Sequence, residues 1–553
     1  MSINRKAREQ IKKAISDAAE QCGFALPDFI IEVPKNKDNG DFSANAAMLM
    51  SKQAHMPPRD IAAKLCEAMN TQNTYIKEVK VAGPGFLNFY LSDDRLYDVI
   101  DEVEAKGDRY GSTDDGKGEK VMVEFVSANP TGPMHMGNAR GGALGDSMAA
   151  VLDFAGYDVT REFYLNDAGN QIEKFAQSLQ ARYLQLCGRD VPFAEEWYQG
   201  ADITQRAAEF KEKYGESYLD VPEEERKAAL VDFSLVINEK NMIDTLKKYR
   251  INYDVWFKES SLYKNGDIDE TIEILKNSGS CYEKDGALWF KNPDEDGKDE
   301  VLVRANGFPT YFTADIAYHR NKFVKRGFDR VIDVWGADHH GHVARMKSAM
   351  EAIGVSGDRL TVVLMQLVRL IQNGEVARMS KRSGKAITLD VLLEDIGIDA
   401  ARFFFNMRNA GSHFEFDLDL AVQQSNDNPV FYVQYAHARI CSIIRLLAEG
   451  GTAVPKACEI DKTKLCTKEE HELLLKLAEL PDEISAAAET LEPARLTRYS
   501  IDLATAFHSF YNACRVNIDD EALKAARLKL IDCARIALAN VLRLLAVSAP
   551  EKM

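Results

Sequence analysis

At 553 residues, with 46% hydrophobic and 28% charged side chains, the chain has material for roughly three to five cored domains. No stretch approaches the roughly 18 apolar residues that a membrane span needs, and the opening MSINRKAREQIKKAI reads as an amphipathic helix without an apolar signal core, so a cytoplasmic protein without membrane contact is expected. The net charge of −17 argues against a broadly polyanion-binding surface, yet residues 191–300 alone hold 26 acidic against 15 basic side chains, while 430–553 are nearly balanced at 17 against 16.

Taken in order, the chain opens with a helix over 3–21, a strand candidate at 29–33 (FIIEV) and helices over 43–54 and 60–69. The alternation in VKVAGPGFLNFYL then predicts a hairpin of strands 76–82 and 85–91. A Gly/Asp-rich stretch, GDRYGSTDDGKG at 107–118, closes a small α/β domain, assigned to residues 1–112.

The run VMVEFVSANPTGPMHMGNARGGALGD (121–146) has an apolar β-branched strand, a turn on Asn129, Pro130, Gly132 and Pro133, and a helix opening near His135. A helix start of this kind presents free N–H groups and a positive dipole end to a phosphate. His135, Gly137 and Asn138 stand at that start, a histidine, a glycine that admits a ligand and a second polar group one turn on.

A strand at 159–164 and a helix bearing Ile172, Phe175 and Leu179 follow. The acidic segment 191–300 carries helical patterns at 207–218 and 224–249 and reads as an insertion into one α/β domain, assigned to 113–190 and 301–427. In the second half, RVIDVWGADHHGHVARM (330–346) reads as strand, turn and helix, and 360–370 as a third strand. It leads to ARMSKRSGKAITL (377–389), where four cations crowd into eight residues with two hydroxyls and a glycine. Such a loop suits a developing pyrophosphate charge. From 428 onward the pattern is all helix, with heptad-like runs at 430–447, 469–489, 495–514 and 521–545. The nine cysteines are scattered without a CxxC pair, so neither a metal site such as zinc nor a disulfide framework is expected.

His135-Met136-Gly137-Asn138, followed some 240 residues later by Arg378-Met379-Ser380-Lys381-Arg382, resembles the HIGH and KMSKS signatures of class I aminoacyl-tRNA synthetases. EFVSANPTGPMHMGN, FYLNDAGNQI, YFTADIAYH and the ending LLAVSAPEKM narrow the resemblance to the arginyl-tRNA synthetases. The resemblance implies a doubly wound, Rossmann-like catalytic domain with an insertion (191–300), a small N-terminal α/β domain and an all-helical anticodon-binding domain (428–553). It also implies ATP-dependent ligation of arginine to tRNA(Arg) through an arginyl-adenylate, with magnesium accompanying the ATP and the 2′-hydroxyl of the terminal adenosine as first acceptor. Adenylate formation in that family needs bound tRNA.

By the same resemblance the catalytic residues are His135, Asn138 and Lys381. ATP falls to Pro130, Gly132, His135, Gly137, Asn138, Asp338, Met379, Ser380 and Lys381, and arginine to Glu124, Asn129, Tyr311, Asp315 and His339. Asp315 is the expected guanidinium partner, because five buried N–H donors need acceptors. Asn138 and Arg378 depart from the family pattern, which has histidine and lysine there. In the helical domain Tyr435, Arg439, Arg445, Tyr499, Phe507, Tyr511 and Arg515 are candidates for RNA stacking and phosphate contact.

Overall fold

Residues 2–292, 298–376 and 387–553 are described by the computed structural model. The first helix, Ile3–Gln21, buries Ala7, Ile11, Ile15 and Ala18 at three- and four-residue spacing against a four-stranded antiparallel sheet. The helix expected from residue 43 starts later, at Ala46, because Phe42–Ala44 pair as a strand with Leu87–Phe89. Backbone pairing with a neighbouring hairpin here overrides a helical side-chain pattern.

The central sheet is parallel throughout. β1 (Lys120–Glu124) is followed by α1 (Met136–Phe154), β2 (Asp158–Leu165), α2 (Asn170–Leu186), α3 (Ala201–Tyr214), α4 (Glu223–Lys248) and β3 (Val255–Lys258). After a small antiparallel sheet over residues 281–303 come α5 (Tyr311–Arg320), β4 (Arg330–Gly336), α6 (His340–Ala352) and β5 (Leu360–Met365). The strand order is β5-β4-β1-β2-β3. The chain therefore winds one way from β1 and the other way from β4, and the crevice outside the carboxyl ends of β1 and β4 is where such sheets take ligands. Val121, Met122 and Val123 are all buried, the continuous apolar run of a strand covered on both faces. A Cβ at Gly145 would collide with the Phe125 ring, so α1 lies close on the sheet only because that position is glycine.

Two sequence expectations need correction. Segment 191–300 is not wholly an insertion: β3 lies inside it and pairs in register with β2, Glu162 opposite Val255 and Leu165 opposite Lys258. The acidity of the whole segment hides the short run VWFK, whose Trp256 stacks on Phe163 at 4.5 Å between ring centroids. What is inserted is α3 and α4, which share a core with α2 built on Phe175, Tyr183, Phe210 and Leu230. The strand expected over 360–370 is two strands, β5 and Val368–Gln372, the second paired with Phe414–Asp417 in a separate sheet.

After the basic stretch come α7 (Leu389–Ile396) and α8 (Ile398–Asn406), then four helices: α9 (Pro429–Glu449), α10 (Lys468–Thr490), α11 (Ala494–Ala513) and α12 (Glu521–Leu544). Their heptad-like faces merge into one core with the catalytic sheet. Among the described residues no helix is long and apolar enough to cross a membrane.

Candidate active site

Beyond β1 the backbone takes two consecutive left-handed residues, Val126 at φ 72° and Ser127 at φ 42°. A β-branched residue there is strained and persists only where surrounding contacts hold it. Ser127 supplies two of them: its hydroxyl donates to Glu124 Oε1 at 2.9 Å and accepts from the Tyr164 N–H at 3.1 Å. Lys322 Nζ donates to the other Glu124 oxygen, Oε2, at 2.6 Å and to Asp333 Oδ1 at 3.0 Å. His319 completes the chain, with Nε2 on Asp333 Oδ2 at 2.9 Å and Nδ1 on the Asp315 carbonyl at 2.7 Å.

Glu124, expected to bind arginine, accepts one protein hydrogen bond on each carboxylate oxygen, contacts that also hold the turn. Burial opposes the charge on Lys322, but Asp333 and Glu124 outweigh it and hold the ammonium above its ordinary pKa. Replacing Lys322 by methionine strands two carboxylates in the interior. An expected loss of about 3–5 kcal/mol in unfolding free energy, read by denaturant titration, follows from removing one partner of a buried pair.

A second acidic group lies at the ends of β2 and β3. Glu259, directly after β3, is 1% exposed, and among the described residues its Oε1 has no hydrogen-bond partner. Burial, opposed by the Tyr164 hydroxyl and reinforced by the carboxylates of Asp315 and Asp167, leaves its pKa raised to about 7. Asp315, the fifth residue of α5, is met by His342 Nε2 at 3.1 Å. Among the described residues no lysine or arginine pairs with Glu259, Asp315 or Asp167. Tyr311 stands at the mouth, its hydroxyl accepting the Asn170 N–H at 3.1 Å. Gly169 lies against its ring at φ 79°, where a Cβ would approach to 3.2 Å. Such a pocket is short of a buried cation with several donors.

His135 caps α1. Its N–H donates to Asn138 Oδ1 at 3.0 Å, so the amide oxygen of Asn138 is spent on the helix start and its NH₂ stays available. The turn is zipped to the segment before α7: Met136 N–H donates to the Ile387 carbonyl and Leu389 N–H to the Met134 carbonyl, both at 2.9 Å. Arg378, Met379, Ser380 and Lys381 lie outside the described residues, but the chain resumes beside His135. Across the crevice stand Asp338 and His339, in the turn after β4 with side chains 82% and 60% exposed. Gly137 faces open space, and a Cβ added there would meet nothing within 4 Å. Arg140 of α1 fixes the far wall by donating to the carbonyls of Gln366, Asn409 and Ser412 at 2.7, 2.8 and 3.1 Å.

Of Pro130 and Gly132, both expected at the nucleotide, Gly132 lines one cavity together with His135 and Asn138. Pro130 is buried with its carbonyl accepting from Asn238 of α4 at 2.9 Å, and Gly132 lines cavities on the β2 side of β1. Asn129 faces the same side and donates to Gln171 Oε1 at 2.6 Å.

Three family models match: the arginyl tRNA synthetase N terminal domain over residues 5–91, the catalytic domain of tRNA synthetases class I (R) over 99–428 and the DALR anticodon binding domain over 433–553. The whole chain is 55% identical to an arginine–tRNA ligase of Ruminiclostridium cellulolyticum and 56% identical to one of Caldanaerobacter subterraneus, each covered over 100% of its length. The chain belongs to the arginyl-tRNA synthetase family. The solved arginyl-tRNA synthetase of Thermus thermophilus shares its fold, with a TM-score of 0.76 over 99% of this chain and 100% of that one at 22% identity.

As a member of the arginyl-tRNA synthetase family, the chain has in Glu259 a site candidate that motif reading passed over. The available signal was its place at the end of the aromatic run VWFKES, the strand-end position that drew attention to Asp338. In the part matched by the anticodon binding model, two of the proposed RNA contacts are core residues. Tyr499 is buried with its hydroxyl on the Lys476 carbonyl at 2.9 Å, and Phe507 is fully buried. A surface cluster remains, with Phe431, Tyr435 and His508 in stacked succession and Arg439 over the Tyr511 ring.

Proposed function

We propose that the protein ligates arginine to tRNA(Arg) in two steps, and that the carrying observation is the buried Glu259 carboxylate, whose Oε1 has no hydrogen-bond partner among the described residues and which lies near Asp315. A guanidinium brings a permanent charge and five donors in a planar fork, which matches two carboxylates and the Tyr311 side chain. Asn129 and His339 take the amino-acid end.

ATP lies over the crevice between β1 and β4, with Gly137 admitting the nucleoside, Asp338 toward the ribose and His135 and the Asn138 NH₂ donating to phosphate. The arginine carboxylate attacks the α-phosphorus in line. A new C–O–P linkage forms, the bond to pyrophosphate breaks, and Lys381 with Met379 and Ser380 meets the departing charge. The 2′-hydroxyl of the tRNA then attacks the carbonyl carbon of the adenylate, giving the ester and AMP. Magnesium enters on the ATP phosphates, since among the described residues no cluster of three metal-ligating side chains exists. Residues 1–112 and 428–553 contact the tRNA, residues 113–190 and 301–427 together with β3 carry the chemistry, and the cytoplasm is the place of action.

Arginine-dependent exchange of pyrophosphate into ATP, with and without tRNA, tests this reading. Exchange with arginine alone among the amino acids, strongest with tRNA present, is expected. Exchange driven by another amino acid contradicts it. A pH series adds a signature of Glu259. Only its ionised form accepts the guanidinium, so apparent arginine affinity rises with pH through about 7 and levels off above. Glu259→Gln flattens that dependence and raises KM for arginine at pH 8.

A further inference from the structure

We infer that His342 is a positioning residue for arginine, holding the Asp315 carboxylate by Oδ2 so that Oδ1 is left for the guanidinium. The inference rests on the charging reading above and deepens it. The turn after β4, GADHHGH, carries three histidines, of which sequence comparison singles out only His339. The fold sends them to different places. His339 and His340 are exposed, whereas His342, in the first turn of α6, reaches across to α5 and sets Nε2 3.1 Å from Asp315 Oδ2.

An ionised carboxylate only accepts, so the ring nitrogen at Asp315 carries the hydrogen. The ring is not free to turn. Phe312 of α5 meets it edge-on at 5.6 Å between centroids, and Trp335 at the end of β4 lies against it at 5.5 Å. Three elements therefore aim one donor: α5 supplies Phe312, β4 supplies Trp335 and α6 supplies the imidazole. Arg345, one turn further along α6, is committed elsewhere, its Nε to the Gly341 carbonyl at 2.9 Å and its guanidinium to Glu300. Among the described residues no other donor sits on the Asp315 carboxylate.

The Asp315 side chain is 37% exposed, and a carboxylate so placed keeps its rotamer freedom unless a neighbour fixes it. A guanidinium reads that orientation, because its donors lie in a rigid planar fork. A lysine in the place of His342 would fix Asp315 equally well but would neutralise it and repel the incoming cation. An imidazole fixes the oxygen without a permanent charge.

Pyrophosphate exchange by the full-length protein with tRNA present gives kcat and the KM values for arginine and ATP. His342→Phe keeps a ring between Phe312 and Trp335 but removes the donor. It is expected to raise KM for arginine about ten-fold, the effect of losing one hydrogen bond to a charged group, with kcat and KM for ATP within about two-fold. His342→Gln, whose amide can donate from the place of Nε2, is expected to bring KM back to within about three-fold of wild type. In the Asp315→Asn background His342→Phe adds less than about two-fold, since both changes break one link. Should phenylalanine prevent folding, His342→Ala removes the same donor at a side chain already 21% exposed. Three results each overturn the positioning role and leave the arginine pocket standing: an unchanged KM for arginine in the donor-less variants while Asp315→Asn raises it, glutamine no better than phenylalanine, or effects that multiply in the double variant. Asp315→Asn with an unchanged KM for arginine overturns the pocket reading itself, and the role of His342 with it.

Discussion

Lys381→Ala is expected to slow arginyl-adenylate formation by about two to three orders of magnitude while leaving arginine affinity within about two-fold. The magnitude is that of removing one preorganised donor aimed at charge that develops in the transition state. The selectivity comes from the layout. In the proposed site arginine meets Glu259, directly after β3, and Asp315 of α5, whereas the described chain resumes after Lys381 at Ile387, hydrogen-bonded to Met136 at the start of α1. Pyrophosphate exchange at saturating arginine and tRNA gives the rate, and calorimetric titration with arginine gives the affinity. Normal exchange in the variant removes Lys381 from the mechanism.

Asp315→Asn is the second large effect, and it falls on the other substrate. The amide keeps the size of the side chain but turns one acceptor into a donor that faces the guanidinium. Removing the charge of a partly exposed partner costs about 1–3 kcal/mol, or roughly five- to a hundred-fold in kcat/KM for arginine. KM for ATP should stay within about two-fold, because the Asp315 carboxylate is directed at His342 and lies near Glu259, while the proposed phosphate donors His135 and Asn138 stand at the start of α1. A loss spread evenly over arginine, ATP and tRNA would instead mark Asp315 as a support of the fold. Its backbone carbonyl, which accepts from His319, is untouched by the substitution, so that structural link survives the test.

The two substitutions address the parts of the molecule that were most and least readable from sequence. The unit from β1 to α1 and the four C-terminal helices were legible because their signals are local: a β-branched run, a Pro/Gly turn, and apolar residues at three- and four-residue spacing. The strand β3 was hidden because four residues of sheet lie within a segment whose composition is acidic and helical. Glu124 and Glu259 show a deeper limit. Both are glutamates at the ends of apolar strands, and nothing local separates them. What separates them is Lys322, which lies 198 residues beyond Glu124 and donates to its Oε2, while among the described residues the Glu259 Oε1 has no hydrogen-bond partner.

Asn138 is a milder case of the same kind. Motif comparison marks it as a departure from histidine, and only the structure shows its oxygen committed to the His135 N–H. Orientation was likewise invisible for Pro130 and Gly132. A turn read from sequence has no sides, and in the fold Pro130 and Gly132 look toward α3 and α4 while Gly137 at its end faces open space.

The most direct measurement is charging itself: transfer of labelled amino acids to purified tRNA(Arg) by the full-length protein with ATP and magnesium. Arginine is expected to appear as an ester on the tRNA with one AMP released per ester, and lysine, a cation without the planar fork, is expected to remain at background. Esterification of lysine at a comparable rate, or no esterification of arginine while the protein is folded, would contradict the assignment of Glu259 and Asp315 as the arginine pocket of a tRNA ligase.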